Sequence, residues 1–314
     1  MTKTIALFAR EDDPIAARLE ALLSSRGVRS IRVELGRMAE GMPVRFDGER
    51  WWVQGVDLST LGAYVLRHFP TETALLSADA SRNLTAAEWW RRGIAQKERA
   101  HFAQSVLMAL DVAGTRAVNP RLPSAPYDFK PLQLAAFRRA GLPVPQTLVT
   151  NEPESVRGFH RAVGEVVAKP VAGGAATRLL DDDMLQRLDA IRSAPVIFQE
   201  RIPGRDVRVT VVDGEVVSAV EIAIDAIGEI DYRASSAYQE GRVQYTVHAL
   251  PDDVGALCVR AAHLCHHVLS GIDLKRREDG AYVLLEANSA PVYLDIEEQT
   301  GAPISERIVG YLMA

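Results

Sequence analysis

The early part of the chain alternates between short apolar runs and amphipathic stretches, as an α/β domain does. Ile5 to Phe8 reads as a buried strand. Asp12-Asp13-Pro14 opens a helix with proline in its first turn, Ile15, Leu19 and Leu22 share one face, and Gly27 ends it. A second strand follows at Ile31 to Val33, which gives a β-α-β opening without the glycine fingerprint of a dinucleotide site. Arg45 to Val53 reads as a hairpin about Asp47-Gly48, and Ala63 to Leu66 as another strand. Thr85 and Glu88 have capping-box spacing for a long helix to about Leu110, with Trp89, Phe102, Val106 and Leu107 available for packing. The pair Trp89-Trp90 is read as core or interface rather than as a binding platform.

Residues 114–126 are proline-rich and read as a link between domains. The expected division is an N-terminal α/β domain over residues 1–116, a central lobe over 117–198 and a C-terminal lobe over 199–314. Lys130 stands before Pro131 at a helix start, where the helix dipole favours anions, and Gly141 suits the end of that helix. Glu152-Pro153 starts a further helix that stops near Gly164. Val166 to Val171 is a strand carrying Lys169, and a charge in so apolar a strand needs a partner or a ligand. The small residues from Ala172 to Thr177 either bring backbone N–H groups to a phosphate or form a plain turn.

Two Asp-Gly turns organise the C-terminal part. Pairing outward from a two-residue turn at Asp279-Gly280 places Asp273 opposite Glu286, with Asn288 on the same face and Ile272, Leu274, Val283, Leu285 and Ala287 on the other. Two carboxylates set opposite each other repel. Either a cation lies between them, for which three hard oxygen ligands suit magnesium, or Lys275 and Arg277 neutralise them. The same pairing about Asp213-Gly214 puts Asp206 opposite Glu221, with Arg208 and Ala219 on their face, either as a simple ion pair or as the lining of a site.

Composition narrows the classes. The 314 residues are 47% hydrophobic and 25% charged with a formal net charge of −5, an ordinary globular balance without a global basic field for nucleic acid. The N-terminus does not read as a signal peptide, and no apolar run approaches the ~18 residues of a membrane span. Two cysteines are too few for a disulfide framework, so the reducing cytoplasm is expected. Cys258, His263, Cys265, His266 and His267 crowd one helix, but the stripe of Val254, Leu257, Cys258, Ala261, Cys265 and Val268 makes core cysteines a better reading than zinc. Asp181-Asp182-Asp183 reads as a helix start.

From about Asn119 onward the order of these pieces resembles an ATP-grasp enzyme, closest to the RimK-like ligases. The resemblance rests on Lys130 before a helix, Lys169 on a strand, and the run Gln199-Glu200-Arg201-Ile202-Pro203-Gly204-Arg205-Asp206-Val207-Arg208. It continues through Gly271-Ile272-Asp273-Leu274, Leu285-Glu286-Ala287-Asn288-Ser289-Ala290-Pro291, and the Glu297 to Ile304 segment behind them. It implies an α/β ATP-grasp fold of α+β lobes behind an N-terminal pre-ATP-grasp domain, and a ligase that activates a carboxylate as an acyl phosphate with ATP. On that pattern Lys130 and Lys169 hold phosphates, Glu200, Arg201 and Ile202 meet adenine, and Asp206 meets the ribose. Asp273, Glu286 and Asn288 bind magnesium, or manganese in its place, and Arg208 and Arg233 face the transferred phosphate. The loop after Lys169 is poorer in glycine than in many relatives. Tyr64-Val65-Leu66-Arg67-His68-Phe69-Pro70, the Trp89-Trp90 helix, Gln133-Leu134, Gly141 to Pro145 and Thr147 to Asn151 are more similar to graspetide macrocyclases, which close lactone or lactam rings in ribosomally made peptides. The implied partners are a peptide or small-molecule carboxylate and a nucleophile, with no nucleic acid and no membrane. The resemblance also allows a homo-oligomer, which no residue establishes. Two rivals are a nucleotide-binding regulator without turnover, against which both lysines and all three metal-site residues argue, and a kinase acting on a hydroxyl.

Overall fold

The structure, a computed structural model, describes residues 4–69, 85–172, 176–223 and 243–314. Its first sheet is parallel, in the order β2-β1-β6-β7, from β1 (Thr4–Phe8), β2 (Ser30–Val33), β6 (Leu61–Leu66) and β7 (Arg116–Val118). Helix α1 (Pro14–Ser25) starts where Asp13 accepts the Ala16 N–H at 2.9 Å. The short strands β3 (Val44–Phe46), β4 (Trp51–Val53) and β5 (Val56–Asp57) form a separate meander. Helix α2 (Ala86–Val112) has the expected capping box at Thr85 and Glu88.

Two expectations fail here. Residues 116–118 are not linker: β7 is the fourth strand of the first sheet, because Ala117 and Val118 are apolar enough to be buried beside β6. Of the core-or-interface reading of Trp89 and Trp90 the core half fails: they are 44% and 64% exposed, since the packing of α2 falls to Ala103, Val106, Leu107 and Leu110 further along.

After the short helix α3 (Arg121–Ser124) comes α4 (Lys130–Arg139). The middle sheet is antiparallel, in the order β10-β9-β11-β8, from β8 (Thr147–Thr150), β9 (Val166–Pro170), β10 (Arg178–Leu179) and β11 (Val196–Glu200). It is backed by α5 (Pro153–Val163) and closes its own core with Val156, Val166, Leu180, Leu188 and Phe198. Asp181 caps α6 (Asp182–Gln186) by accepting the Met184 N–H at 2.8 Å, the expected helix start.

The third sheet is antiparallel, in the order β14-β13-β12-β15-β16, from β12 (Arg205–Val212), β13 (Glu215–Ala223), β14 (Gln244–Val247), β15 (Leu269–Arg276) and β16 (Tyr282–Asn288). Helix α7 (Asp252–Leu264) covers one face, where Cys258, Ala261 and Cys265 meet Val209, Ile272 and Leu284. Phe137 and Leu142, from α4 and the turn after it, join this core. Both thiols are buried, which pushes them up to about 12, so they are core rather than zinc ligands. His267 is itself buried, which pushes its pKa down to about 4.

The chain closes with α8 (Leu294–Thr300) and α9 (Ile304–Met313). Helix α9 returns to the first sheet, so that Ile304, Ile308 and Val309 share one core with Leu7, Ile15, Leu19 and Leu269. Asn119 pins the two regions further. Its Nδ2 donates to the carbonyls of Leu269 and Ser289 at 2.7 Å each, and its Oδ1 accepts the N–H groups of Val268 and Leu269 at 2.6 and 2.8 Å. Among the described residues no helix is long and apolar enough to cross a membrane.

Candidate active site

Residues paired directly across antiparallel strands project to the same side. The register sets Asp206 beside Lys275, Arg208 beside Asp273, and Asp273 beside Glu286, with Asn288 beside Gly271. One face of the sheet therefore carries Asp206, Arg208, Asp273, Lys275, Glu286 and Asn288, and the face beneath it packs on α7.

The expected Asp273–Glu286 pair is present, although the turn that was to set it differs. The loop has three residues, Glu278, Asp279 and Gly280, and the Arg277 N–H donates to the Ala281 carbonyl at 2.8 Å. Only Gly280, at φ +85°, takes the left-handed conformation, whereas a two-residue turn of this kind needs it at both positions. Leu274 accordingly faces Leu284, and a bulge between there and Asp273 restores the site register. The longer loop turns Val283 off the apolar face, where it was expected, and puts Leu284 there, and the bulge leaves Leu285 off that face as well. At the other hairpin Asp213 and Gly214 do both have positive φ. A shift between Thr210 and Val211 leaves Asp206 opposite Ile222 and Glu221 opposite Val207, so Glu221 is on the far face, paired with Arg205.

The cations meet these carboxylates differently from expectation. Arg208 donates to Asp273 at 2.6 Å, and Lys130 reaches Glu286 at 2.8 Å. Lys275 instead pairs with Asp206 at 2.8 Å, and Arg277 lies 3.6 Å from Asp279. Lys275 sits directly opposite Asp206, which takes its charge, and Arg277 sits just past the end of β15, beside the loop. Asn288 turns its Nδ2 to Asp273 and Glu286 at 3.1 and 3.3 Å. A half-turn of that amide presents Oδ1 instead, giving three oxygen donors on one face.

Lys130 is the first residue of α4, and Lys169 projects from β9 of the middle sheet. The two lysines line one cavity with Gln199, Leu285 and Glu286, so the fold brings together residues far apart in sequence. At the exit from β11, the carboxylate of Glu200 accepts from the N–H and the side-chain amide of Gln146, both at 3.1 Å. Arg201 turns away to Glu165 at 2.9 Å, and Ile202 is buried. Asp206 follows at the start of β12. Arg233 lies outside the described residues, as do residues 173–175 of the loop after Lys169.

Sequence reasoning gave no role to Arg67 or Gly271. Arg67 directly follows β6 at its C-terminal end, the usual place for a ligand-facing residue in a parallel sheet. Its side chain is buried, with Nη1 donating to the Pro291 carbonyl at 2.9 Å and Nε 3.4 Å from Asp13. Pro291 rests over Gly271, where an added Cβ would lie 2.7 Å from the Pro291 side chain and 2.7 Å from Arg208 Nη2. Glycine here lets the Arg208 guanidinium cross the strand towards Asp273. The signal for it was the lone glycine within an apolar strand.

Among the described residues no three His, Cys, Asp or Glu side chains converge on a metal position. Two carboxylates and an amide oxygen nevertheless fit magnesium, which keeps water and phosphate as its remaining ligands.

The model of the RimK-like ATP-grasp domain matches residues 128–312. A probable alpha-L-glutamate ligase of Klebsiella pneumoniae (strain 342) is 26% identical over 223 residues, 68% of this chain and 72% of the relative. The ATP-grasp ligase PsnB, solved with a minimal precursor, superposes over 100% of this chain and 99% of its own at a TM-score of 0.85 and 33% identity. The macrocyclase MdnC of Microcystis aeruginosa MRC, solved with the precursor peptide MdnA, covers 99% of both chains at a TM-score of 0.79, with 19% identity that shows likeness of fold alone. A domain match over more than half the chain, and a one-third-identical structure along all of it, establish that the chain belongs to the RimK-like ATP-grasp family and is a ligase of that kind.

Proposed function

We propose that the protein activates a side-chain carboxylate of a peptide with ATP and joins it to an amine or hydroxyl of the same peptide. The observation that carries the nucleotide half is the shared cavity of Lys130, Lys169 and Glu286 beside the Asp273–Asn288 face. The peptide half is supported by likeness along the whole chain to PsnB, a ligase solved in complex with its precursor.

In this reading Lys130 and Lys169 hold the nucleotide phosphates from opposite sides of the cavity. The carboxylate of Glu200 and the backbone at Arg201 and Ile202 meet the adenine edge, and Asp206, steadied by Lys275, meets the ribose. Asp273, Glu286 and Asn288 would hold magnesium, or manganese in its place, which would supply positive charge against the phosphates. Arg208, with Arg233, orients and neutralises the phosphoryl group in flight; such transfers depend on positioning and charge more than on covalent help. A substrate carboxylate oxygen bonds to the terminal phosphorus as ADP leaves. The acceptor nitrogen or oxygen then bonds to the acyl carbon, phosphate departs and the acceptor gives up a proton.

A second reading, addition of a free amino acid, is favoured by the glutamate-ligase relatives. Mass spectrometry of peptides incubated with enzyme, ATP and magnesium separates the two. Loss of about 18 mass units, one water, marks ring closure, and gain of an amino-acid residue marks extension. Phosphate release with neither product in a broad peptide pool would sink the peptide reading. Calorimetry on Lys169→Ala should show weakened ATP binding; unchanged affinity would make that lysine structural.

A further inference from the structure

Among the described residues strand β16 is the edge of its sheet, and one side of its backbone has no strand partner there. Such groups must be satisfied elsewhere. At Ala287 a single side chain does this. Gln133 Oε1 accepts the Ala287 N–H at 3.0 Å, and Gln133 Nε2 donates to the Ala287 carbonyl at 2.8 Å. The same Nε2 donates to the Tyr127 carbonyl at 2.9 Å, so both amide hydrogens and the oxygen are engaged. The carboxamide pairs with the edge as another strand would.

The place of this grip matters. Ala287 lies between Glu286 and Asn288, two of the three residues assigned to the metal. Gln133 lies three residues after Lys130 on α4, a spacing that puts both on one helix face. The helix thus holds β16 at Ala287 with one residue and reaches Glu286 with another, at 2.8 Å. We propose that Gln133 is a positioning residue, which fixes the distance between the phosphate-side lysine and the metal-side carboxylate and amide. The proposal rests on the metal reading given above.

The fold has a second anchor that does not use this side chain. The Leu284 N–H donates to the Pro143 carbonyl at 2.7 Å, holding β16 against the turn after α4. Loss of the Gln133 amide therefore frees the register at the site while the helix stays docked.

The test uses the full chain with manganese and ADP as probes, reading bound manganese by electron paramagnetic resonance and folding by thermal melting. Gln133→Met keeps length without the hydrogen bonds, and Gln133→Asn keeps the amide one carbon short of Ala287. Both are expected to bind manganese–ADP about 10- to 100-fold more weakly in the folded chain, the usual effect of losing a residue that orients metal ligands, with melting temperatures that fall, because buried backbone groups lose a partner, but stay above the assay temperature. Manganese affinity within about twofold of wild type in Gln133→Met, where Glu286→Ala has lost binding, would overturn the role of Gln133 alone. Wild-type affinity in Gln133→Asn would show that reach is irrelevant and overturn it too. Undiminished binding in Glu286→Ala would remove the metal reading and the proposal with it. Should Gln133→Met fail to fold, Gln133→Asn decides the matter.

Discussion

The two faces of the third sheet are built from the same strands and do opposite things. On the α7 side Val209, Ile272 and Leu284 are sealed with Cys258 and Cys265. On the other side Arg208, Asp273, Glu286 and Asn288 touch one another and Lys130. Alternation with a period of two is enough to separate them. One face supplies the burial that makes the charged face affordable to hold, since opposed carboxylates add nothing to a sheet by themselves.

That division can be broken from either side. The largest effect is expected from Glu286→Ala, with turnover lowered roughly 10³-fold and little change in melting temperature; retained activity with magnesium would separate this face from catalysis. Leu284→Ala does the reverse. It should cost about 2–5 kcal/mol in urea denaturation while the folded fraction keeps its nucleotide affinity, and a lost affinity at full stability would mean the faces are not independent. Gly271→Ala tests the boundary: a Cβ pressed on Pro291 and Arg208 should lower turnover by about 10²-fold through misplacement of the guanidinium. Normal kinetics there would mean that Arg208 finds another path.

A smaller effect comes from His267, whose folded pKa is pushed by burial to about 4 from the ordinary 6.5. The unfolded chain takes up the proton first as pH falls, so the neutral ring's contribution is full above about 6.5 and is lost on acidification towards 4. The slope is about 1.4 kcal/mol per pH unit, and urea midpoints of His267→Gln should lack it. Least of all, Arg277→Ala should shift stability by under ~0.5 kcal/mol and leave turnover alone, as its side chain forms an exposed pair with Asp279. A marked loss of turnover would revive Arg277 as the neutraliser of the carboxylates.

Most of this was legible wherever the chemistry is local. Proline and Asp13 set α1, Thr85 and Glu88 set α2, and period-two alternation set the hairpins. The opposed Asp273 and Glu286 were readable because two departures compensated: a loop one residue longer than Asp279-Gly280 suggests, and a bulge that takes the shift back. Where nothing compensated, at Thr210 and Val211, the same reasoning put Glu221 on the wrong face. Partners fixed by tertiary approach were not legible. Neither the reach of Lys130 to Glu286 nor the grip of Arg67 on Pro291 has a spacing to read, since each joins segments separated by well over a hundred residues. The exposure of Trp89 and Trp90 was illegible for a related reason: what covers a helix is decided by other elements.

The shared cores decide which parts of the molecule travel together. The first sheet, α9 and the third sheet are joined through one core and through Asn119, and α4 is packed into the other side of the third sheet. Strands β8 to β11 keep a core to themselves. They connect to the rest through the chain after Leu142 and through residues 201–204, where Gly204, at φ +143°, crosses close against the Arg276 carbonyl. Across the gap between them, Lys169, Ile197 and Gln199 of this middle piece face Lys130, Leu134 and Glu286 of the larger one around one cavity. Lys130 belongs to the larger group and Lys169 to the smaller, so a phosphate held by both lysines, as proposed, would also be a tie between two separately built cores.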